Sequence, residues 1–363
     1  MRALHQFVPT FEPGAVGGHM LELQRLARET LGVEAELFAE FVHPAREGQA
    51  RKHTDYGRRV PARPGDVLVY HVAIGSVVAD FVRQRPEQLV IDHHNITPPE
   101  LYERWEPDAA YGCSWGRSQL PELASRTSLG VADSTYNEHE LRRAGYAATA
   151  TAPILLDPAV FDSGDAGVDA AALARLQAGK AGADWLFVGR VSPNKCQHDV
   201  IKAFAAYHRM YDPGARLHLV GGSSSTAYRS ALEGYIEVLG LKDAVRLTGA
   251  VSSGELLAHY RVADAFVCLS EHEGFCIPLL EAMNNRVPIV AFASSAVPGT
   301  LGDAGVLLAS KRPATVAAAV HRVLSDDGLR TALVAAGTAR LETFTLPRTR
   351  ARWLEVLRGL ECA

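Results

Sequence analysis

The amino-acid sequence predicts an α/β protein made of two doubly wound domains, each built on its own parallel sheet. Short apolar segments typical of buried strands alternate with helical segments along the chain, and this alternation indicates parallel strands joined by helical crossovers. The pattern pauses once, in the glycine-containing stretch Leu156–Gly182, which we expect to join the domains. With 363 residues, the chain is long enough for two domains that each bury a core.

The predicted elements follow in chain order. In the first half we expect strands at Ala3–Val8, Asp66–His71, Gln88–Asp92 and Ser128–Ala132, and helices at His19–Leu31, Ser76–Gln84 and Tyr136–Ala144. In the second half we expect strands at Trp185–Val188, Arg216–Val220, Ala244–Thr248, Ala265–Leu269, Pro288–Phe292 and Gly305–Leu308, with helices that include Cys196–Met210, Ser253–Tyr260 and Pro347–Leu360. These segments predict domains at residues 1–165 and 180–345, followed by a C-terminal helix within residues 346–363.

The composition excludes several classes of protein. Hydrophobic residues make up 47% of the chain and charged residues 21%, which is usual for a globular protein. The net charge of −4 argues against a nucleic-acid partner, because nucleic-acid binders carry a basic excess. No apolar run approaches the ~18 residues of a membrane span, and the first residues lack the apolar core of a signal peptide. Five cysteines without a Cys-x-x-Cys pair fit a reduced, cytoplasmic compartment.

The most informative motif follows a predicted strand of the second half and reads Glu-Gly-Phe-x-x-Pro-Leu-x-Glu-Ala-Met. Glu273 opens it, and Pro278 suits the first position of a helix, whose N-terminal amides can bind a phosphate or a sugar hydroxyl. Glu281 lies eight residues after Glu273 and is expected at the same mouth of the sheet. A carboxylate accepts several hydrogen bonds, so each glutamate can hold a pair of vicinal hydroxyls. Taken singly, each also fits a solvated surface glutamate.

A basic pair follows another predicted strand, in the sequence WLFVGRVSPNK. Arg190 and Lys195 are expected near the carboxyl edge of the sheet, where two cations can bind a diphosphate and neutralise the charge that builds up as it leaves. The alternative is an ordinary surface arginine and lysine.

Together these motifs resemble those of the family 4 retaining glycosyltransferases, which have the GT-B fold. This resemblance implies that the C-terminal helix within residues 346–363 crosses back and packs on the first domain. The resemblance implies that Glu273 contacts the transferred sugar and that Glu281 holds the nucleotide ribose. It also implies that the backbone around Gly274, Phe275 and Leu279 meets the sugar hydroxyls and the diphosphate.

The basic pair resembles the Gly-Arg…Lys-Gly motif of the same family, whose arginine and lysine clamp the donor diphosphate; Arg190 and Lys195 match them. The sequence departs from the family at Cys196 and Cys276, where glycine is frequent. Each departure adds a Cβ atom near the donor site and bears on the fit of the donor sugar.

Two features of the first half complete the predicted site. Gly17 and Gly18 lie between the first strand and the first helix, in an order that does not match the Gly-x-Gly-x-x-Gly motif of nicotinamide enzymes. The alternative is a plain loop, whereas the resemblance places a Gly-Gly loop beside the phosphate and the acceptor. His93 and His94 end a strand on opposite sides, without an evident third metal ligand. His94 matches the histidine that the family carries near the donor sugar and the acceptor.

The resemblance implies a retaining glycosyltransferase that moves a hexose-type sugar from a UDP-, GDP- or other nucleoside diphosphate sugar to a sugar, lipid-linked or small-molecule acceptor. We expect a front-face mechanism with no cofactor and no metal, because the chain has no Asp-x-Asp triplet and Arg190 and Lys195 supply positive charge. The alternatives are a sugar-nucleotide epimerase, a phosphorylase-type enzyme and a non-catalytic sugar-nucleotide-binding partner.

Two weaker features stay open at this stage. The basic loop between Arg51 and Arg63 is either a solvated loop or a contact for an anionic acceptor or for the membrane surface as a peripheral protein. The aromatic stretch Tyr102–Gly116 is expected to be irregular and is a candidate acceptor-binding lid.

Overall fold

A computed structural model describes residues 1–156 and 167–360 of the chain. The chain forms two compact units. The described part of the N-terminal unit comprises residues 1–100, 108–156 and 344–360, and that of the C-terminal unit comprises residues 101–107 and 167–343. Part of the predicted junction, including the boundary at residue 165, lies outside the described residues.

The N-terminal unit contains a seven-stranded parallel sheet with the strand order β3-β2-β1-β4-β5-β6-β7. The strands are β1 (Ala3–Phe11), β2 (Leu37–Val42), β3 (Arg51–Lys52), β4 (Asp66–Val72), β5 (Gln88–His93), β6 (Thr127–Ala132) and β7 (Thr149–Thr151). The connecting helices are α1 (Ala15–Glu29), α2 (Val77–Arg83), α3 (Pro107–Ala124) and α4 (Thr135–Arg143). Every residue of β4 is buried, as expected for a parallel strand that is covered on both faces.

The C-terminal unit contains a six-stranded parallel sheet with the strand order β10-β9-β8-β11-β12-β13. The strands are β8 (Asp184–Val188), β9 (Arg216–Val220), β10 (Val245–Gly249), β11 (Ala265–Cys268), β12 (Ile289–Phe292) and β13 (Val306–Leu308). The helices are α5 (Ala170–Ala178), α6 (Gln197–Met210), α7 (Thr226–Val238), α8 (Ser253–Val262), α9 (Ile277–Asn284), α10 (Val297–Leu301), α11 (Pro313–Ser325) and α12 (Asp327–Leu341).

The last described helix, α13 (Leu346–Gly359), packs on the N-terminal unit, which confirms the predicted return of the C-terminal helix. Trp353 is completely buried in the core of that unit, and its indole N–H donates to the carbonyl oxygen of Pro153 at 2.9 Å. Arg350 forms an ion pair with Glu22 of α1.

The largest departure from the predicted elements is α3. The sequence indicated an irregular stretch over Tyr102–Gly116, but residues from Pro107 onward are helical. Glycines keep this helix close to the loop before α2: a Cβ atom at Gly116 would lie 2.6 Å from the backbone nitrogen of Gly75. The glycines that weaken helix propensity therefore allow a close backbone contact, which stabilises the helix from outside.

Strands β2, β3 and β7 were not predicted, and α1 begins at Ala15 rather than at His19. Among the helices that the structure describes, no segment has the length and apolar character needed to cross a membrane.

Candidate active site

The C-terminal unit has a topological switch point between its central strands. The chain runs outward from β8 through β9 to β10 and then returns to place β11 on the other side of β8. Loops at the carboxyl ends of two such strands diverge and leave a crevice, which is where open α/β sheets bind ligands. Arg190 and Lys195 follow β8, and Glu273 follows β11, so the two predicted motifs meet at this crevice.

Lys195 and Glu273 are in direct contact. The Nζ atom of Lys195 lies 2.5 Å from Oε2 of Glu273, and the two side chains are 20% and 8% exposed. Burial alone would lower the pKa of Lys195, but the Glu273 carboxylate outweighs burial and raises it. Lys195 is therefore a cation, and its charge is balanced by Glu273 in the structure.

Arg190 is held by a residue from a distant part of the chain. Residues 101–107, which we call the inserted segment, pack with the C-terminal unit. The Tyr102 hydroxyl lies 3.1 Å from Nη2 of Arg190 and donates to Oδ1 of Asn194 at 3.2 Å. The carbonyl oxygen of Trp105 accepts a hydrogen bond from Ser225 at 2.8 Å. The candidate lid thus supplies a contact to the predicted diphosphate clamp.

The loop that carries Glu273 is supported by the segment after β12. The backbone N–H of Glu273 donates to the Ser295 hydroxyl at 2.7 Å, and Ser294 donates to the carbonyl oxygen of Ser270 at 2.6 Å. The Thr300 hydroxyl donates to the carbonyl oxygen of Phe275 at 2.5 Å. These bonds define the position of the glutamate side chain without using its carboxylate.

Leu279, one of the predicted backbone contacts, already uses its backbone amide in a turn. Its side chain is fully buried, and its N–H donates to the carbonyl oxygen of Cys276 at 3.1 Å. Gly274 and Phe275 lie in the turn between Glu273 and α9, as predicted.

Glu281 lies in α9 and receives a hydrogen bond from the Tyr260 hydroxyl at 2.7 Å. Burial raises the pKa of Glu281, and the hydrogen bond from Tyr260 opposes that rise. Tyr260 therefore orients the carboxylate for which the family resemblance implies contact with the ribose.

The two cysteines that replace frequent glycines both have left-handed backbone. Cys196 has φ of 52° and Cys276 has φ of 71°, and each is the residue that precedes a helix. This region favours glycine because a Cβ atom crowds the backbone there. Their sulfur atoms point into protein: both residues are buried, and Sγ of Cys276 lies 3.9 Å from Sγ of Cys268.

In the N-terminal unit, the switch point lies between β1 and β4. Gly17 and Gly18 belong to the first turn of α1 rather than to a loop before it. A Cβ atom at Gly17 would lie 2.0 Å from the carbonyl oxygen of Glu12, whereas one at Gly18 would meet no atom within 4 Å. Gly17 is therefore needed for packing, and Gly18 leaves open space beside the helix start.

His93 and His94 point to opposite sides, as the alternation predicted. His93 pairs with Glu140 at 3.2 Å, and the side chain of His94 is only 2% exposed. The ring of His94 faces His71 and Asp92 inside the unit. His94 stays a predicted site residue.

No third possible metal ligand was evident from the sequence, but the structure brings four such groups together. One ligand atom each from His19, His71, Asp92 and His94 lies within 4.8 Å of the others. His19 and Asp92 are 73 positions apart, and the four residues converge only through the sheet, so their spacing in sequence carried no signal.

The basic loop is largely paired with acidic groups. Arg51 contacts Glu36 at 3.0 Å, and Arg63 contacts Glu34 at 3.5 Å. The solvated, ion-paired interpretation of this loop fits these contacts better than a surface that offers free positive charge.

The comparison with known families matches the part of the chain that carries both motifs. Residues 174–340 match the model for glycosyl transferases group 1. The C-terminal unit, which carries both motifs, therefore matches the family of glycosyl transferases group 1. The resemblance predicted from the motifs is confirmed.

Curated relatives of this chain carry the name D-inositol 3-phosphate glycosyltransferase. The protein of Kineococcus radiotolerans is 32% identical over 259 residues, which are 67% of this chain and 59% of the relative. That of Actinosynnema mirum is 35% identical over 171 residues, 45% of this chain and 41% of the relative. The chain therefore matches about half the length of these relatives.

Solved structures show the same fold over nearly the whole chain. Sucrose-phosphate synthase from Thermosynechococcus elongatus has a TM-score of 0.77 at 17% identity, covering 99% of this chain and 100% of its own. Anabaena HepE, solved with UDP-glucose, has a TM-score of 0.73 at 19% identity, covering 98% and 99%. The predicted GT-B fold is confirmed.

Proposed function

We propose that this protein is a retaining glycosyltransferase that moves a hexose-type sugar from a nucleoside diphosphate sugar to an acceptor hydroxyl without a metal ion. The observation that carries the proposal is the contact between Lys195 and Glu273 at the switch point between β8 and β11. It joins the predicted diphosphate clamp to the predicted sugar-binding carboxylate at a crevice where α/β sheets bind ligands.

Donor binding in this proposal exchanges one ionic contact for another. The diphosphate takes the place of Glu273 on Lys195, and the released carboxylate accepts hydrogen bonds from the sugar hydroxyls. The exchange leaves Lys195 paired with the diphosphate and Glu273 hydrogen-bonded by the sugar, which matters because a largely buried charge without such partners is strongly unfavourable. Arg190 binds the same diphosphate, held in place by Tyr102. Glu281 holds the ribose, oriented by Tyr260.

The chemical step in this proposal proceeds on one face of the sugar. The bond between the anomeric carbon and the leaving phosphate oxygen breaks, the acceptor oxygen bonds to the anomeric carbon from the same side, and the acceptor proton passes to the leaving phosphate oxygen. Lys195 and Arg190 stabilise the charge of the departing diphosphate. Glu273 binds a sugar hydroxyl in this scheme and does not act as a covalent nucleophile.

The names of the relatives guide the choice of substrates. HepE was solved with UDP-glucose and the curated relatives are named for D-inositol 3-phosphate, so we propose a UDP-sugar donor and a small hydroxylated acceptor as the first pair to test. The test is a panel of UDP-glucose, UDP-N-acetylglucosamine and GDP-mannose, each incubated with and without D-inositol 3-phosphate.

Mass spectrometry follows donor breakdown, and proton NMR reads the anomeric coupling of the product. The expected result is transfer with the α configuration of the donor retained. A product with inverted configuration would contradict the mechanism. Binding of donors without turnover, over a wider acceptor panel, would indicate a non-catalytic binding protein instead.

A further inference from the structure

A closed cluster of ionisable side chains lies under the loop after β5 in the N-terminal unit. His19, His71 and Asp92 are fully buried, and the side chain of His94 is 2% exposed. The proposed reaction does not use this cluster directly. Because buried polar groups are costly when unpaired, the protons in such a cluster must take a definite arrangement.

One end of the cluster is defined by a backbone carbonyl group. The side-chain amide nitrogen of Gln6 donates to the carbonyl oxygen of Met20 at 3.0 Å, which turns Oε1 of Gln6 towards His71. That oxygen lies 2.9 Å from Nε2 of His71. Since an amide oxygen only accepts, Nε2 of His71 must carry a proton.

The other end is defined by a backbone amide group. The N–H of Leu155 donates to Nδ1 of His19 at 2.8 Å, so Nδ1 has no proton of its own. The proton of the neutral His19 ring is therefore on Nε2, which donates to Oδ2 of Asp92 at 2.9 Å.

The middle of the cluster holds one shared proton. Nδ1 of His71 lies 2.9 Å from Nε2 of His94, a distance at which one nitrogen donates and the other accepts. His94 lies between two carboxylates, with Asp92 at 3.3 Å and Asp133 at 3.6 Å. His71 has only Asp92 nearby, at 3.2 Å, and the uncharged amide of Gln6 on its other side.

We propose that this hydrogen-bond order places one positive charge on His94, which donates from Nε2 to the neutral His71 and points its Nδ1 proton at Asp133. The acidic and basic groups that face His94 are Asp92, Asp133, His71 and His19, and two of these four are carboxylates. The directions of the pKa shifts of His94 and His71 agree with this placement of the charge. Burial alone would lower the pKa of His94, but Asp92 and Asp133 raise it to about 10, whereas burial lowers the pKa of His71 to about 4.

The proximity of four ligand atoms also suggests a metal ion, and the hydrogen bond from Leu155 argues against one. A histidine that binds a metal through Nε2 normally donates from Nδ1 to an oxygen atom. In His19 the Nδ1 atom instead accepts from a backbone N–H, so a metal at Nε2 would require a fully deprotonated ring. The proposed arrangement of protons gives the four ligand atoms hydrogen-bond partners without full deprotonation of the His19 ring.

The charge on His94 has a structural effect at the end of β5. The backbone N–H of His94 donates to the carbonyl oxygen of Val72 at 2.9 Å, and its ring is pinned between Asp92 and Asp133. His94 thus orients the loop that follows β5 and acts as a positioning residue. The effect of His94 on sugar transfer rests on the proposed function, whereas the assignment of its positive charge does not.

The charge is tested by long-range ¹H–¹⁵N NMR of protein labelled with ¹⁵N-histidine, with the signals of His94 assigned from their loss in His94→Asn. At pH 8 the wild type should show both nitrogens of His94 protonated, and His19 and His71 as neutral rings protonated at Nε2. In Gln6→Glu, a carboxylate beside Nε2 of His71 should move the charge to His71 and leave His94 neutral. Gln24→Glu is the matched control, because Gln24 bonds the carbonyl oxygen of Ala35 and no histidine.

A second variant covers the case in which Gln6→Glu does not fold. Asp133→Asn removes one of the two carboxylates beside His94, so the pH at which His94 loses its proton should fall by about 1–3 units. A neutral His94 in the wild type at pH 8, an unchanged titration in Asp133→Asn, or about one equivalent of tightly bound zinc by elemental analysis would each overturn the proposal.

The role in positioning has a separate readout. If sugar transfer is observed, its rate should fall at alkaline pH as His94 loses its proton, and Asp133→Asn should shift this fall to lower pH. If the transfer rate falls at the same alkaline pH in Asp133→Asn as in the wild type, the positioning role is contradicted. Absence of transfer with an intact NMR signature would count against the proposed function and leave the charge assignment standing.

Discussion

The ammonium group of Lys195 and the carboxylate of Glu273 form an ion pair of 2.5 Å across the switch point of the C-terminal sheet. The two residues follow adjacent strands, β8 and β11, but are 78 positions apart in sequence. In the proposed function, the donor diphosphate replaces Glu273 beside Lys195, and the sugar hydroxyls replace Lys195 beside Glu273. Before a donor binds, the charges of the two residues balance each other.

The first prediction concerns Lys195→Ala. The charge on the leaving diphosphate then loses one of its two cations, so kcat/KM for sugar transfer should fall by about 10²–10³-fold, as on removal of one donor from a preorganised anion site. The measurement is initial rate against donor concentration. Lys202→Ala is the control, since Lys202 lies on α6 and pairs with Asp199 at 3.2 Å. Equal losses in the two variants would contradict the clamp assignment.

The second prediction concerns the pair itself, without substrate. Unfolding of Lys195→Ala, Glu273→Ala and the double variant should give a coupling free energy of about 0.5–3 kcal/mol, because each single change leaves the other charge without its partner. Denaturant titrations of the four proteins provide the cycle. Additive effects of the two changes would show that the contact contributes no stability.

The third prediction concerns pH. The hydrogen bond from Tyr260 holds down the pKa of Glu281, which burial has raised, so Tyr260→Phe should raise that pKa further. A protonated carboxyl binds the ribose less well, and donor affinity should therefore be lost at a higher pH in the variant than in the wild type as the solution is acidified. Calorimetric titration of UDP between pH 4 and 8 measures this shift. Tyr235→Phe on α7 should leave the profile unchanged, and identical profiles for Tyr260→Phe and wild type would refute the assignment.

The fourth prediction concerns Cys196, whose φ is 52°. Cys196→Ala keeps a Cβ atom in left-handed backbone, whereas Cys196→Gly removes it, so the glycine variant should be more stable than the alanine variant by about 1 kcal/mol. Thermal or denaturant unfolding of both proteins decides it. An alanine variant as stable as the glycine variant would show that this backbone is not strained.

The fifth prediction is that sugar transfer persists in excess EDTA, because Arg190 and Lys195 supply the positive charge that a metal would bring. Loss of transfer on chelation, with recovery on addition of Mg²⁺ or Mn²⁺, would contradict it.

The central strands of the C-terminal sheet were predicted closely because they are buried on both faces. Arg216–Val220 is a strand with the predicted bounds, and β8 begins one residue before the predicted start. Continuous apolar runs between helical segments leave few other interpretations. The short strand β3 has two exposed residues, Arg51 and Lys52, and therefore carried no hydrophobic signal.

Tertiary contacts explain what the sequence did not show. Helix α3 contains glycines that local propensity disfavours, and it forms because Gly116 packs against Gly75. The motifs identified Lys195 and Glu273 but not their contact. Tyr102 begins the stretch that was a candidate lid, but nothing in the local sequence marked it as a partner of Arg190, or Tyr260 as a partner of Glu281. Such partners become visible only when the topology brings distant segments to one sheet edge.

The position of α13 has a consequence for the order in which the units mature on the ribosome. Trp353 is completely buried in the N-terminal unit, beside His19 at 5.1 Å between ring centroids. Synthesis of residues 1–343 completes every described segment of the C-terminal unit, yet leaves the N-terminal core without this tryptophan. The C-terminal unit, which is translated second, therefore has all its described segments before the N-terminal unit does. The core of the N-terminal unit lacks Trp353, and so keeps an unfilled apolar space, until α13 is synthesised.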